Sequence, residues 1–263
     1  PFFGALANGR WRSAAFFDFD NDGWLDLLVT GMTITEGDKN AKKTTGTSAL
    51  YRNRGQGKDG KWLGFENATE SSGLKALLVD SGANALGVAC ADFNNDGFQD
   101  LCITCFMTPS KLLLNSRKGA FTDVSDLFAF GRAGQRVPAV GACWGDFDND
   151  GWLDLYATTD CWVSGGGATS LEWHLDRFKL HAEPDTLFRN VRGRAFMAWR
   201  EMPEFFGEGH DCQFEDVDNN GTLDLYATCH GWNNKNIGTP GGNPLFMNDG
   251  KGRFRRAAAE VGA

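Results

Sequence analysis

Hydrophobic positions along the chain fall into short runs punctuated by Gly and Asn. Four of these runs correspond to one another: LLVTG at 27–31, LCITC at 101–105, LYATT at 155–159 and LYATC at 225–229. Short runs rich in Val, Leu, Phe and Tyr between turn-forming residues are typical of an antiparallel β-meander. The pattern therefore predicts an all-β chain.

Each of these runs belongs to a larger repeated unit. An entering strand precedes the run, such as GVACADF at 87–93, and a third stretch follows it, such as LLLNSRKG from Leu112. A phenylalanine segment, such as AFTDVS from Ala120, closes the unit. Four strands per unit is the make-up of a propeller blade. Repeats of this length stack on their neighbours, because one unit cannot bury its apolar face alone.

A polar loop of fixed spacing joins the first two predicted strands of every unit. The loops are DFDNDGWLD at 18–26 (loop 1), DFNNDGFQD at 92–100 (loop 2), DFDNDGWLD at 146–154 (loop 3) and DVDNNGTLD at 216–224 (loop 4). Asp or Asn occupies positions 1, 3 and 5, Gly occupies position 6 and Asp occupies position 9. This spacing is typical of a short loop that folds hard oxygens around Ca²⁺, with Gly supplying the sharp turn.

An EF-hand is the competing interpretation of these loops. It requires flanking helices and a bidentate Glu at position 12. Position 12 holds Val29, Ile103, Ala157 and Ala227. The sequence therefore excludes an EF-hand in all four copies.

The predicted ligands are the side chains at positions 1, 3, 5 and 9 and the carbonyl oxygen of position 7, for up to four Ca²⁺. They are Asp18, Asp20, Asp22, Trp24 and Asp26; Asp92, Asn94, Asp96, Phe98 and Asp100; Asp146, Asp148, Asp150, Trp152 and Asp154; and Asp216, Asp218, Asn220, Thr222 and Asp224. Because affinity rises with ligand charge, loops 1 and 3 are expected to bind more tightly than loops 2 and 4. The alternative is that the loops are Asx-rich turns without metal.

The net charge of −8 follows largely from these loops, which hold fourteen of the 34 acidic residues. We interpret the acidity as ligand charge rather than as a general anionic surface, and we expect carboxylate repulsion to loosen the metal-free form. No basic stripe is present, so nucleic-acid binding is not expected.

The loops and the stretches after them resemble the FG-GAP/VCBS repeat family, which includes the head of integrin α chains. ALGVACADFNNDGFQDLCITC from Ala85, followed by LLLNSRKGAFTDVS from Leu112, is most similar to the secreted branch of cartilage acidic proteins and their UnbV-type bacterial relatives. The resemblance covers nearly the whole chain through four repeats. It implies calcium bound in hairpin loops of a β-propeller, usually outside cells, in adhesion or recognition.

The resemblance further implies one propeller domain over residues 1–263. Its four-stranded blades are expected at approximately 11–70, 86–126, 139–201 and 210–259. Propellers of this family commonly have about seven blades. The four blades therefore either close alone or form an arc of a larger ring.

A partner is expected to bind the face opposite the calcium loops, where the long connections emerge because antiparallel strands alternate in direction. Aromatic side chains in loops on a rigid scaffold are typical of binding surfaces. The predicted partner-binding residues are Trp162, Trp173, His174 and Trp232. Alternatively, these side chains pack against the blade edges, since Trp is highly buried on average.

These observations favour a calcium-binding recognition, adhesion or structural scaffold module that binds a protein partner or a larger assembly. A calcium-dependent carbohydrate-binding lectin is the alternative, since Ca²⁺ and exposed Trp faces both suit sugars. A polysaccharide lyase or hydrolase ranks third. We expect no enzyme, because the sequence offers no convergent catalytic set.

The expected location is extracellular, periplasmic or organelle-luminal, where calcium is near millimolar and such loops are most useful. No apolar run approaches the ~18 residues of a transmembrane helix. The chain begins at Pro1 without Met, from which we expect a mature or excerpted form.

Seven cysteines allow at most three internal disulfides. Cys90 and Cys102 are predicted to face each other across the hairpin of loop 2. Cys105, Cys143 and Cys161 are interpreted as buried free thiols.

Overall fold

The described part of the chain folds into four separate four-stranded sheets. In a computed structural model the described residues are 10–32, 48–105, 108–127, 139–159, 185–205, 209–229 and 242–257. Within these ranges all paired strands of the four sheets are antiparallel and follow chain order. The predicted all-β class is confirmed. The propeller arrangement of the sheets and the single-domain boundaries stay predictions.

Each sheet is a meander of four consecutive strands. Sheet 1 contains β1 (Arg10–Phe17), β2 (Asp26–Met32), β3 (Ala49–Asn53) and β4 (Phe65–Asn67). Sheet 2 contains β5 (Ala85–Ala91), β6 (Asp100–Cys105), β7 (Lys111–Asn115) and β8 (Phe121–Asp123). Sheet 3 contains β9 (Ala142–Gly145), β10 (Asp154–Ala157), β11 (Thr186–Asn190) and β12 (Phe196–Ala198). Sheet 4 contains β13 (Gly209–Glu215), β14 (Asp224–Cys229), β15 (Leu245–Asn248) and β16 (Phe254–Arg256).

Two short helical segments follow the first two sheets. A π-helical segment spans Lys75–Asp80 after sheet 1, and a 3₁₀ turn spans Ser125–Leu127 after sheet 2. None of the helices in the described ranges has the length and apolar character needed to cross a bilayer.

The polar loops close the hairpin between the first and second strands of every sheet. The last pairs before the loops are Phe17 with Asp26, Ala91 with Asp100, Gly145 with Asp154 and Glu215 with Asp224. Position 9 of each loop is therefore the first residue of the second strand. Position 1 lies just outside the ladder, where its side chain can fold back over the turn.

The second strands of sheets 2 and 3 are buried along their whole length. All six residues of β6 and all four residues of β10 are buried. A strand covered on both faces reads as a continuous apolar run rather than as an alternating one. This burial explains why the corresponding runs are uninterrupted in the sequence.

The chain divides into two compact units, residues 1–125 with sheets 1 and 2 and residues 126–263 with sheets 3 and 4. The core of unit 1 includes Phe17, Leu28, Leu50, Leu101 and Ile103. The core of unit 2 includes Phe147, Tyr156, Leu187, Leu225 and Phe246. Each core draws on both sheets of its unit, so within each unit one sheet covers the apolar face of the other.

Two glycines of unit 2 allow an unusually close approach between β9 and β13. A Cβ built at Gly141 would lie 2.6 Å from the carbonyl oxygen of His210 and 2.8 Å from the Cα of Asp211. A Cβ at Gly145 would lie 2.7 Å from the ring of Phe214. Since real Cβ atoms do not come this close to other heavy atoms, only glycine fits at either position.

The predicted facing of Cys90 and Cys102 is wrong. Cys90 is paired with Leu101, and Cys102 with Ala89. The ladder closes at Ala91 rather than at position 1 of the loop, which shifts the register by one residue. Because neighbouring residues of a strand point to opposite faces, the two thiols lie on opposite sides of sheet 2. Cysteines with free thiols are Cys90, Cys102, Cys105, Cys143, Cys212 and Cys229.

Candidate metal sites

The four polar loops adopt one backbone conformation. The residue at position 4 is Asn in every copy and is left-handed, with φ of 56° at Asn21, 54° at Asn95 and 56° at Asn149 and Asn219. The glycine at position 6 has φ between 85° and 88° in all four. Asn tolerates this region and Gly enters it freely. A Cβ at Gly23 would meet nothing within 4 Å, so the backbone angle rather than space requires glycine there.

Positions 1 and 5 fold each loop by accepting backbone hydrogen bonds. In loop 1 the N–H of Asp22 donates to Oδ1 of Asp18 at 3.1 Å, and the N–H of Gly23 donates to Oδ2 of Asp18 at 2.9 Å. The N–H of Trp24 donates to Oδ1 of Asp22 at 3.0 Å. Equivalent bonds recur in loops 2, 3 and 4. The loops therefore hold their shape partly as Asx turns.

The aspartate at position 9 ties each loop to the third strand of its sheet. In loop 1, Oδ1 of Asp26 accepts the N–H of Asn53 at 2.7 Å, and Oδ2 accepts the N–H of Phe19 at 3.0 Å. The position-9 side chains of all four loops are fully buried. One carboxylate thus joins the start of the loop to the third strand, so it stabilises the fold as well as contributing to any ion site.

The Asn at the end of each third strand is a site residue that the sequence reasoning missed. The Nδ2 of Asn53 donates to the carbonyl oxygen of Leu25 at 3.0 Å. Asn115, Asn190 and Asn248 make the same contact with position 8 of their loops. The signal was present, because the third strands end in YRN, LLN, FRN and FMN.

Carboxylates converge in three of the loops. Oxygens from three side chains lie within 4.8 Å of one another in loops 1, 3 and 4: Asp18, Asp20 and Asp22; Asp146, Asp148 and Asp154; and Asp216, Asp218 and Asp224. In loop 2 the third position is Asn94, whose Nδ2 donates to Oδ2 of Asp96 at 3.1 Å. Loop 2 therefore brings together fewer charged oxygens.

Several of these oxygens are buried and accept no hydrogen bond. They are Oδ1 of Asp20, Oδ1 of Asp148 and Oδ2 of Asp100. A buried acceptor without a donor costs about 1–3 kcal/mol, which a bound cation would offset. Charged and neutral oxygen donors with no nitrogen or sulfur among them fit a hard divalent cation such as Ca²⁺.

An arginine from the third strand contacts the carboxylates of loops 1 and 3. Nε of Arg52 lies 2.7 Å from Oδ2 of Asp20, and Nη2 lies 3.0 Å from Oδ2 of Asp22. Arg189 places Nε 2.6 Å from Asp148 and Nη2 2.9 Å from Asp150. The Nε contacts are ion pairs outside hydrogen-bond alignment. Sheet 4 has the neutral Met247 at this position of its third strand.

These arginines bear on the predicted order of affinities. The loops with the most carboxylates also face a guanidinium that partly neutralises them. In loop 2 the Nε of Arg117 lies 2.9 Å from Oδ2 of Asp96. Counting acidic residues alone therefore overstates the difference between loops, and the order of affinities stays a prediction.

Burial shifts the protonation of the position-9 carboxyls of loops 1, 2 and 3. Desolvation raises the pKa of Asp26 to about 6, of Asp100 to about 7 and of Asp154 to about 8, although backbone hydrogen bonds oppose it. Desolvation also raises the pKa of Asp20 and Asp148, and neighbouring acids add to it. The loops thus favour a proton or a cation over bare negative charge.

Neighbouring loops of one unit are joined by side-chain amides. Nδ2 of Asn21 donates to the carbonyl oxygen of Gly97 at 2.8 Å, which links loop 1 to loop 2. Nδ2 of Asn149 donates to the carbonyl oxygen of Gly221 at 3.0 Å, which links loop 3 to loop 4. The position-4 Asn therefore has a tertiary contact as well as a special backbone angle.

All the predicted ligand residues lie in the described ranges. The predicted partner-binding residues Trp162, Trp173, His174 and Trp232 lie outside the described residues. The structure therefore describes only the metal-loop part of the predicted site.

The sheets and loops together define a repeat protein built of antiparallel meanders with acidic hairpin loops. Residues 92–157 match the family model of the FG-GAP-like repeat, which supports the FG-GAP family predicted from the loops. The match starts at position 1 of loop 2 and ends with β10. The predicted family is confirmed, whereas the predicted secreted branch stays a prediction.

No curated protein matches the chain. The solved structures that match include the V. cholerae biofilm matrix protein Bap1, with 14% sequence identity and a TM-score of 0.39. The alignment covers 98% of this chain and 41% of that protein. The chain thus spans less than half the length of that structure.

Proposed function

We propose that the protein is a calcium-binding module for adhesion or scaffolding, whose four sheets are propeller blades. The observation that supports calcium most directly is the set of buried carboxylate oxygens without donors at Asp20, Asp148 and Asp100. They recur in loops whose backbone is already folded into one shape. A preformed loop binds an ion without a large ordering cost.

The proposed ion is held by side-chain oxygens of positions 1, 3, 5 and 9 and by the carbonyl oxygen of position 7. Calcium accepts six to eight oxygen ligands in flexible geometry, whereas Mg²⁺ demands a near-ideal octahedron. An irregular loop that mixes carboxylates with a backbone carbonyl suits the larger ion. Arg52 and Arg189 neutralise part of the charge in its absence.

Calcium in these loops would stabilise the sheets themselves. Position 9 is the first residue of the second strand and accepts a hydrogen bond from the third, as Asp154 does from Asn190 at 2.7 Å. An ion that holds position 9 therefore holds three strands of one sheet. Such a scaffold suits an extracellular, periplasmic or luminal location, where calcium is near millimolar.

We further propose that the module acts by binding a protein partner or a larger assembly and not by catalysis. The partner surface is the face opposite the calcium loops, formed by the longer connections. This part of the proposal is carried by the family resemblance and by the Trp162, Trp173 and Trp232 side chains that the sequence places in two of those connections.

Calorimetric titration of the chelator-treated protein with Ca²⁺ tests the metal proposal. We expect saturable binding of up to four ions and a rise in the melting temperature that chelator reverses. Asp20→Asn and Asp148→Asn should each weaken one site. Asp80→Asn is the matched control, since Asp80 is exposed at the end of the π-helical segment. Identical melting with and without Ca²⁺, and no binding heat, would reject the proposal.

A calcium-dependent lectin is the second candidate, favoured by aromatic side chains beside loop 1. Trp62 is 51% exposed and Trp24 is 39% exposed. Trp62 donates from Nε1 to Oδ1 of Asn53 at 2.8 Å, and Trp24 lies against Gly55, so both flank the same turn. Glycan-array binding that chelator abolishes and Trp62→Ala weakens would favour the lectin. A chelator-sensitive protein complex without glycan binding would favour the scaffold.

A further inference from the structure

The first strands of sheets 3 and 4, β9 and β13, bring two cysteines to the same level. Gly141 lies against His210, and Gly145 lies against Phe214, each close enough to exclude a Cβ. Cys143 is midway between the two glycines on β9. Cys212 is midway between their two contacts on β13. The two strands thus place these residues opposite each other across the contact between the sheets.

The sulfur positions agree with this placement. Sγ of Cys212 lies 3.8 Å from the carbonyl oxygen of Tyr156. Tyr156 is the direct cross-strand partner of Cys143. The side chains of Cys143 and Cys212 both pack against the apolar core of unit 2.

We propose that Cys143 and Cys212 form a disulfide that covalently joins sheet 3 to sheet 4. A disulfide needs its Cα atoms about 4.4–6.8 Å apart and Cβ vectors that converge. The close approach of β9 and β13 at Gly141 and Gly145, on either side of Cys143, brings the two backbones near enough for such a bond. The bond would close a long segment of chain, which restricts the unfolded state more than a short loop would.

The oxidant is a disulfide compound such as oxidised glutathione. The thiolate of one cysteine attacks the glutathione disulfide and releases one glutathione thiolate. The thiolate of the second cysteine then attacks the mixed disulfide and releases the other. Two protein thiols are oxidised, one glutathione disulfide is reduced to two thiols, and the two protons pass to solvent or to the released thiolates.

The buried surroundings of Cys212 determine the expected rate of thiol–disulfide exchange. Burial raises the pKa of the Cys212 thiol well above its ordinary value. The thiolate is the nucleophile, so exchange should be slow near neutral pH and faster as the pH rises.

Unit 1 lacks this pair. Counted from the start of each loop, Ala15 and Val88 stand where unit 2 has Cys143 and Cys212. Cys90 is the described thiol of sheet 2 nearest this position, and it is paired with Leu101 rather than with a cysteine. The proposed bond is therefore specific to unit 2 and independent of the metal loops.

The test treats the folded full-length chain with oxidised glutathione at mildly alkaline pH, followed by alkylation and peptide mapping without reductant. We expect one linked peptide pair containing Cys143 and Cys212, a mass lower by two hydrogens, and a higher melting temperature that reductant reverses. Cys143→Ser should abolish the link and the shift in melting temperature. Cys90→Ser, the matched control, should preserve both.

The wild-type map decides the question even if a variant fails to fold. Alkylation of Cys143 and Cys212 as free thiols after prolonged oxidation, stable glutathione adducts on them, or a link between any other pair would overturn the proposal. Because this readout needs no calcium, its failure is distinguishable from failure of the proposed function.

Discussion

The two units are alike at their loop edge and unlike between their sheets. At the loop edge, the Asn21–Gly97 hydrogen bond of unit 1 is reproduced by Asn149–Gly221 in unit 2. Between the sheets, unit 1 has Ala15, Leu28, Ser48 and Val88 where unit 2 has Cys143, Tyr156, Asp185 and Cys212. The loop geometry constrains one edge of the repeat, and the rest of the contact is free to change chemistry.

Asp185 shows how far this divergence goes. In every sheet a polar side chain one or two residues before the third strand accepts a backbone N–H from the end of the second strand or just beyond it. These side chains are Ser48, Ser110, Asp185 and Asn243. Among these four equivalents the only ionisable one is Asp185. It also accepts the hydroxyl of Tyr156 at 3.0 Å. Burial raises the pKa of Asp185 to about 7.

The largest effect is expected at position 9, where the two units should behave alike. Asp26→Ala and Asp154→Ala each remove acceptors from two backbone N–H groups, so each should lower the free energy of unfolding by about 3 kcal/mol. Urea unfolding in chelator measures this loss. The exposed Asp80→Ala should change little. A loss in one unit only would break the equivalence of the loop edges.

An effect of comparable size is expected from Asp185, in unit 2 alone. Its folded pKa lies above its unfolded value, so the folded state binds the proton more tightly. The stability that the Asp185 carboxyl gives the folded state is complete below about pH 4 and is lost as the pH rises through about 7. The loss should be roughly 2–4 kcal/mol.

The measurement is urea unfolding of wild type and Asp185→Asn from about pH 4 to pH 8 in chelator. The free energy of unfolding of wild type should fall as the pH rises over this range. In Asp185→Asn this fall should be smaller. Ser48→Ala serves as the control in unit 1, because it removes an acceptor without removing a titrating group. An unchanged pH profile in Asp185→Asn would contradict the assignment.

The close approach of β9 and β13 predicts an intermediate loss. Gly141→Ala places a methyl group against the backbone of His210 and Asp211, which cannot move as a side-chain tip can. Overpacking of this kind should cost about 2 kcal/mol. Thermal unfolding checks it, with Gly60→Ala as a contrasting variant whose strain comes from positive φ alone. Equal melting of Gly141→Ala and wild type would mean that the sheets separate easily.

The smallest effect concerns the arginines at the loops. Because Arg189 occupies carboxylates that the proposed ion would use, Arg189→Ala should raise Ca²⁺ affinity roughly two- to fivefold, in line with ~0.5–1 kcal/mol for a partly exposed ion pair. Arg52→Ala should do the same in unit 1. Arg54→Ala, which removes only a 3.9 Å pair with Glu66, is the control. Weaker calcium binding in Arg189→Ala would show that the arginine supports the site.

The sequence was sufficient for the sheets and the loops because both follow from local chemistry. Asp, Asn and Gly at fixed spacing specify the turn, and the apolar runs specify the strands beside it. The strand-end Asn and the Arg before it were missed because their partners lie across the sheet, at separations that no local pattern reports. The Cys90 and Cys102 prediction failed by one residue of register, which reverses the face of a strand.

The amide links between loops have a consequence for the order in which ions bind. Asn21 holds the carbonyl of Gly97, and the neighbours of that glycine, Asp96 and Phe98, supply predicted ligand atoms. An ion that immobilises loop 1 thereby removes part of the entropy that loop 2 would otherwise lose on loading. The two sites of each unit should then bind Ca²⁺ cooperatively, and the saturation curve should rise more steeply than that of four independent sites.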